Sequence, residues 1–170
     1  MKKNALLFFL VAGISATSLA QSDYKSAIGG RLGSTYYDLL SFSYKNFVSQ
    51  QGALEFNAGF GSKGYHDHDN DYHTTTLSAA LTYQHHFDIK PAPGLKWYVG
   101  GGMTLYNTFS EHHDYEGFGV GIYPTGGIDY KFNDIPLNLS ADVRPTVHIV
   151  GPDYYNSYYG NFGIAARYTF

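Results

Sequence analysis

The residues best suited to chemistry lie in one stretch, His66-Asp67-His68-Asp69-Asn70-Asp71-Tyr72-His73. Three Asp at alternate positions offer hard oxygen ligands of the kind Ca²⁺ takes. His66, His68 and His73 offer imidazole nitrogens for Zn²⁺, Cu²⁺ or Ni²⁺. The spacing matches no closed metal motif, and the glycine and terminal Glu of an EF-hand are missing. A solvated polar loop has the same composition and is the preferred reading; a site from His66, Asp67, His68, Asp69, Asp71 and His73 stays open. Glu111-His112-His113-Asp114-Tyr115-Glu116 is a second such stretch, and both fall at the same end of the expected fold. In Asp153-Tyr154-Tyr155-Asn156-Ser157-Tyr158-Tyr159 the tyrosines give large contact area at low entropy cost. That suits a sugar or protein partner, or an interfacial aromatic belt. Lipid-modifying catalysis needs a nucleophile, a His and an acid held together. Ser110 beside Glu111 and His112 is one such grouping, and chance proximity in a polar loop explains it better. No Gly-rich phosphate loop or cofactor motif occurs in a strand–helix context, so no cofactor is expected.

A second set is charged and dispersed: Arg31, Lys45, Glu55, Asp129, Asp142, Arg144 and Arg167. All seven fall on the polar face of alternating segments. Pointed into a narrow closed barrel, four cations and three anions would pair as a lumen charge network. The alternative is a narrow ion or proton path.

The elements that must hold these residues alternate with period two, the signature of strands with one apolar face. Leu137, Leu139, Ala141, Val143, Pro145, Val147 and Ile149 alternate with Asn138, Ser140, Asp142, Arg144, Thr146 and His148. Phe162, Ile164, Ala166, Tyr168 and Phe170 alternate with Asn161, Gly163, Ala165, Arg167 and Thr169. Six earlier segments repeat the pattern around Arg31, Ser43, Asn57, Thr82, Thr104 and Thr125, which makes eight strands. Residues 49–52, 90–94 and 133–136 read as tight turns. Residues 63–75, 107–116 and 151–160 read as longer loops, and 34–38 as a shorter connection. Pro124 and Pro145 sit inside strands and cannot donate to a ladder, so each predicts a bulge or a broken pairing.

Lys2 and Lys3, the apolar run 5–14 and Ser18-Leu19-Ala20 predict a cleavable signal peptide over 1–20, with the mature domain at 21–170. The apolar run is too short to span a bilayer as a helix. Cleavage takes the net charge from −3 to −5, which argues against a nucleic-acid partner. The absence of Cys excludes a lipid anchor at the cleavage site and a disulfide framework. Seventeen Tyr, 12 Phe and 20 Gly with only 15% charged residues suit a barrel wall.

With the signal peptide and eight amphipathic strands, the terminal Ala165-Ala166-Arg167-Tyr168-Thr169-Phe170 resembles the small OmpA/OmpX-type family of outer-membrane barrels. The resemblance covers residues 24–170. It implies an all-β, closed, eight-stranded antiparallel transmembrane β-barrel, with short periplasmic turns and longer extracellular loops, in the bacterial outer membrane. Tyr168 and Phe170 would then belong to the signal read by the barrel-assembly machinery. The expected role is non-enzymatic: a structural or surface-interaction protein, in contact with outer-membrane lipid and with a surface protein or glycan. The alternatives are an outer-leaflet lipid-modifying enzyme and a soluble barrel that carries an apolar ligand. The inward charges count against the last.

Overall fold

The computed structural model of the protein describes residues 24–67, 70–110, 116–151 and 157–170, with the side chains of 65–72 left aside. The alternating segments are strands because an extended chain sends successive side chains to opposite faces, and each face here has one polarity. They are β1 Ser26–Thr35, β2 Asp38–Phe47, β3 Gly52–Asp67, β4 Asn70–Asp88, β5 Leu95–Ser110, β6 Gly117–Lys131, β7 Leu137–Val143, β8 Thr146–Val150, β9 Tyr158–Tyr159 and β10 Phe162–Thr169. β7 and β8 both face β6, and one register carries Gly126↔Val143 into Ile122↔Val147. β9 and β10 face β8 and β7 in the same way, with Thr146↔Tyr159 and Phe162↔Val143. The Arg144 amide donates to the Asn161 carbonyl at 2.7 Å across that joint. The ten segments therefore make eight strands. Each neighbour pairs antiparallel, and β1 pairs with β10 from Ala27↔Thr169 to Gly33↔Gly163, which closes the barrel. Closure leaves no strand edge unpaired along the wall.

The polarity is the reverse of a soluble domain. Leu32, Leu40, Phe56, Leu81, Met103, Ile128 and Val143 point outward and are exposed, whereas Arg31, Lys45, Glu55, Gln84, Asn138 and Arg167 are buried. The apolar wall ends in aromatic rings at the end where β1 starts and β10 finishes, here called the terminal end. There Phe87 stacks on Trp97 at 4.3 Å, and Tyr130 meets Phe132 edge-on at 4.7 Å.

One sequence expectation changes. Residues 63–75 are not a loop: β3 and β4 stay paired without interruption to Asp67↔Asn70, so only His68-Asp69 connect them. Likewise β5 runs to Ser110, still paired with Thr74, and Tyr158–Tyr159 form a short paired segment. The longer extracellular loops of the sequence reading are thus in part a strand extension. Polarity marks where the apolar wall ends, but an antiparallel ladder continues into water, because its bonds are made between strands rather than to an apolar surface.

Of the bulge or broken pairing expected at the prolines, the structure has the broken pairing. Pro145 separates β7 from β8, and Pro124 lies in β6 between the stretches paired to β7 and to β8. The register does not slip across them. A shift occurs elsewhere, between Val120 and Gly121.

Candidate functional site

The seven charged residues read from strand parity are all buried, contributed by β1, β2, β3, β6, β7, β10 and the β7–β8 joint. Glu55 sits at their centre. One of its oxygens, Oε1, accepts a hydrogen bond from Arg144 Nη2 and is ion-paired with Arg167 Nη2, each at 2.9 Å. Its Oε2 accepts from Gln84 Nε2 at 2.7 Å. Arg144 also reaches Asn57 Oδ1 at 2.9 Å and Asp142 at 3.1 Å. Asp142 in turn accepts from Arg31 Nη2 at 2.6 Å. Toward the terminal end Lys45 pairs with Asp129, which accepts from Asn138 Nδ2 at 2.6 Å. Lys45 also donates to His86 Nε2 at 2.9 Å. Charges taken out of water are tolerated when they are paired and hydrogen-bonded, and every one of the seven has such partners.

Sequence reasoning missed an eighth member. Asp38 pairs with Arg31 and accepts from Ser41 Oγ and Asn161 Nδ2, both at 3.0 Å. It balances the set at four cations and four anions. It lies in the expected connection 34–38 by sequence; in the structure it is the first residue of β2, and a register shift against β1 turns it inward although its numbering matches the outward Leu40 and Phe42. His86 was placed on the polar face, but its contact with Lys45 depends on residues 41 positions apart.

Aromatic rings bracket the network. At the terminal end Tyr24 meets Phe47 edge-on at 5.1 Å, His86 lies 4.9 Å from Phe47 and 5.0 Å from Tyr98, and Lys45 Nζ lies 5.2 Å over the Tyr98 ring. At the far end Tyr37 stacks on Tyr106 at 5.4 Å, and His148 contacts Tyr37, Tyr106 and Tyr159 edge-on at 5.3–5.5 Å. The Tyr106 hydroxyl and His148 Nδ1 share a hydrogen bond of 2.7 Å. Tyr37, in the turn between β1 and β2, is buried, and burial pushes its phenol up to about 12. By sequence Tyr159 belongs to a Tyr-rich stretch that suits a recognition surface or an aromatic belt; in the structure its ring packs on Tyr36, Tyr37 and His148.

The proposed metal ligands do not come together in the described part. His73 is on β4 opposite Gly64 and is exposed. His68 and Asp69, and the side chains of His66, Asp67 and Asp71, lie outside the described residues, as do residues 111–115 and 152–156. Among the described residues no group of three or more His, Asp and Glu side chains has metal-binding geometry. Ser110 is described, whereas Glu111 and His112 are not. Tyr168 and Phe170 are exposed on the outer face of the last strand, stacked at 6.4 Å.

No family model matches the sequence, and no curated protein matches it. Solved structures do. The N-terminal β-barrel domain of Pseudomonas aeruginosa OprF is 22% identical, with 88% of this chain and 98% of that one covered and a TM-score of 0.50. Neisserial surface protein A is 16% identical over 85% of this chain and 94% of its own, with a TM-score of 0.47. Acinetobacter baumannii CarO is 10% identical over 85% and 97%, with a TM-score of 0.46. With its eight antiparallel strands closed by β1 and β10, the chain has the fold of the small OmpA/OmpX-type barrels.

Proposed function

We propose that the protein is a non-enzymatic outer-membrane barrel whose lumen is closed by its charge network and whose far end serves as a surface-interaction face. One observation carries this: charged side chains are buried inside, while Leu, Ile, Phe and Val cover the outside. Such a wall is stable in hydrocarbon, where a closed barrel satisfies its backbone internally. In water the same wall would be a very large apolar patch.

In this reading residues 1–20 are a signal peptide removed before Gln21, and Tyr168 and Phe170 are the part of the last strand met by the assembly machinery. The terminal end faces the periplasm. The far end, where β3 meets β4 and where β5 and β8 end and β6 begins, faces outward, toward a surface protein or glycan. The balanced ion pairs of the lumen support closure, since each guanidinium and carboxylate is already engaged. A narrow ion path is the competing use of the same groups.

The test is fractionation followed by reconstitution. The mature chain should begin at Gln21, sediment with outer membranes and migrate faster on gels before boiling than after. Soluble periplasmic protein refutes the location. In planar bilayers the purified barrel should give no steady conductance; a stable open level refutes the closed lumen and favours the ion path.

A further inference from the structure

The wall contains one place where the hydrogen-bond ladder fails on both sides at once. The register that sets Gly126 opposite Val143 and Ile122 opposite Val147 sets Pro124 opposite Pro145. In an antiparallel pair, opposed residues alternate between those that exchange two hydrogen bonds and those that exchange none. The Phe132 amide donates to Leu137 across this same seam, so even residues of β6 and odd residues of the seventh strand occupy the bonded positions. The other bonds agree: Lys131 donates to Gly94 on the opposite side of β6, and Arg144 and His148 donate to Asn161 and Ser157 on the eighth strand. Pro124 and Pro145 therefore fill a position that would exchange two bonds, and neither has an N–H to give.

The gap lies between the outward residues Ile122 and Val147 on one side and Ile128 and Val143 on the other, all exposed on the apolar wall. Behind it are Thr125 and Arg144, both buried. Toward the far end the β6–β8 ladder carries a further irregularity at Val120 and Gly121. No other proline lies within a described strand.

We propose that this seam is a built-in lateral opening: the wall parts between the sixth and seventh strands at Pro124 and Pro145 before it parts anywhere else, and it admits small apolar molecules from the bilayer as far as Thr125. This rests on the membrane reading above. Flotation of the protein with lipid vesicles tests that reading separately, before either measurement below.

The first measurement is amide exchange of the full mature barrel in lipid. Ile122, Gly126, Val143 and Val147, which bond across the seam, should exchange at least tenfold faster than Leu81 and Met103, paired at comparable depth between β4 and β5. In the double variant Pro124→Ala/Pro145→Ala, where the two bonds can form, the difference should fall below threefold. The second uses the absence of native Cys. Thr125→Cys should react with a membrane-dissolved maleimide at least tenfold faster than Thr82→Cys, a buried inward residue of β4, two strands away from β6. Equal exchange in the wild-type protein overturns the proposal even if the double variant fails to fold. So do equal labelling rates.

Discussion

Removal of the Glu55 carboxylate tests whether the lumen charges are coupled. Glu55→Ala takes away the contact that two guanidiniums share, each at 2.9 Å. Arg144 keeps Asp142 at 3.1 Å. Arg167 keeps neutral partners, with Ser43 and Ser140 both at 2.8 Å, and no other carboxylate within ion-pair distance among the described residues. It becomes a buried, uncompensated cation. Breaking a buried pair by removing one partner costs about 3–5 kcal/mol. With a urea slope of about 2 kcal/mol per molar, that lowers the unfolding midpoint by roughly 2 M. The assay is urea unfolding in lipid vesicles, followed by the emission of Trp97, which stands on the outer wall beside Phe87. In the Glu55→Ala background, Arg167→Met should recover much of the loss, because it removes the stranded charge while filling similar space. A midpoint within about 0.5 M of wild type, at unchanged slope, refutes the reasoning; at that slope it is a loss of about 1 kcal/mol at most. Additive effects of the two substitutions would show that the pair is not coupled.

Other perturbations probe other parts of the wall and lumen. Val143→Arg places a charge on the outer apolar face and should cost about 2–4 kcal/mol in a bilayer, measured by the same unfolding; no cost would reverse the inside–outside assignment. Asp38→Ala removes acceptors for Arg31, Ser41 and Asn161, and should cost about 1.5–3 kcal/mol, the range for hydrogen bonds to a charged group. Because its carboxylate is slightly exposed, the loss should stay below that of Glu55→Ala; the reverse order would make Asp38 the centre of the network. Tyr37 titrates near 12 when folded and near 10 when unfolded. Its contribution is therefore full below about pH 10 and is lost as pH climbs toward 12. Tyr37→Phe should flatten the alkaline limb of the stability profile, and an unchanged limb would assign that limb to other groups.

Much of this was legible because a strand has only two faces. Once alternation is seen, every charged residue in a strand has an address, and the seven inward charges follow from odd and even spacing alone. Asp38 escaped because its even number matches the outward Leu40 and Phe42; a register shift between β1 and β2 just before Leu40 turns it inward, and alternation carries no sign of that shift. The extension of β3 and β4 escaped for a related reason. Hydrophobic alternation reports what the wall touches, and it stops where hydrocarbon stops, while pairing continues. The His148 cluster escaped because it is assembled from Tyr37, Tyr106, His148 and Tyr159, on four different strands or turns. Strand parity can say that His148 points inward; it cannot say which rings meet it there. The facing prolines lay between these cases. Each was visible as a defect, but their opposition depends on register.

The pairing of β1 with β10 has a consequence for how the chain reaches this state. Ser26 and Phe170 exchange backbone hydrogen bonds at 2.8 Å in both directions. All other neighbouring strands are consecutive hairpins, whose ends meet after short excursions. This last contact joins residues 144 positions apart, so it carries a loop-closure entropy of about 2 kcal/mol more than a ten-residue hairpin. It also gives the fold a high contact order, which slows the search for the native register. Until it forms, the curled sheet has two raw edges about seven hairpins apart, each a template for pairing with another chain. Productive folding is therefore a race between ring closure and edge-to-edge association. Loss of Phe170 alone should tilt that race toward aggregation, before any change in the finished barrel could be measured.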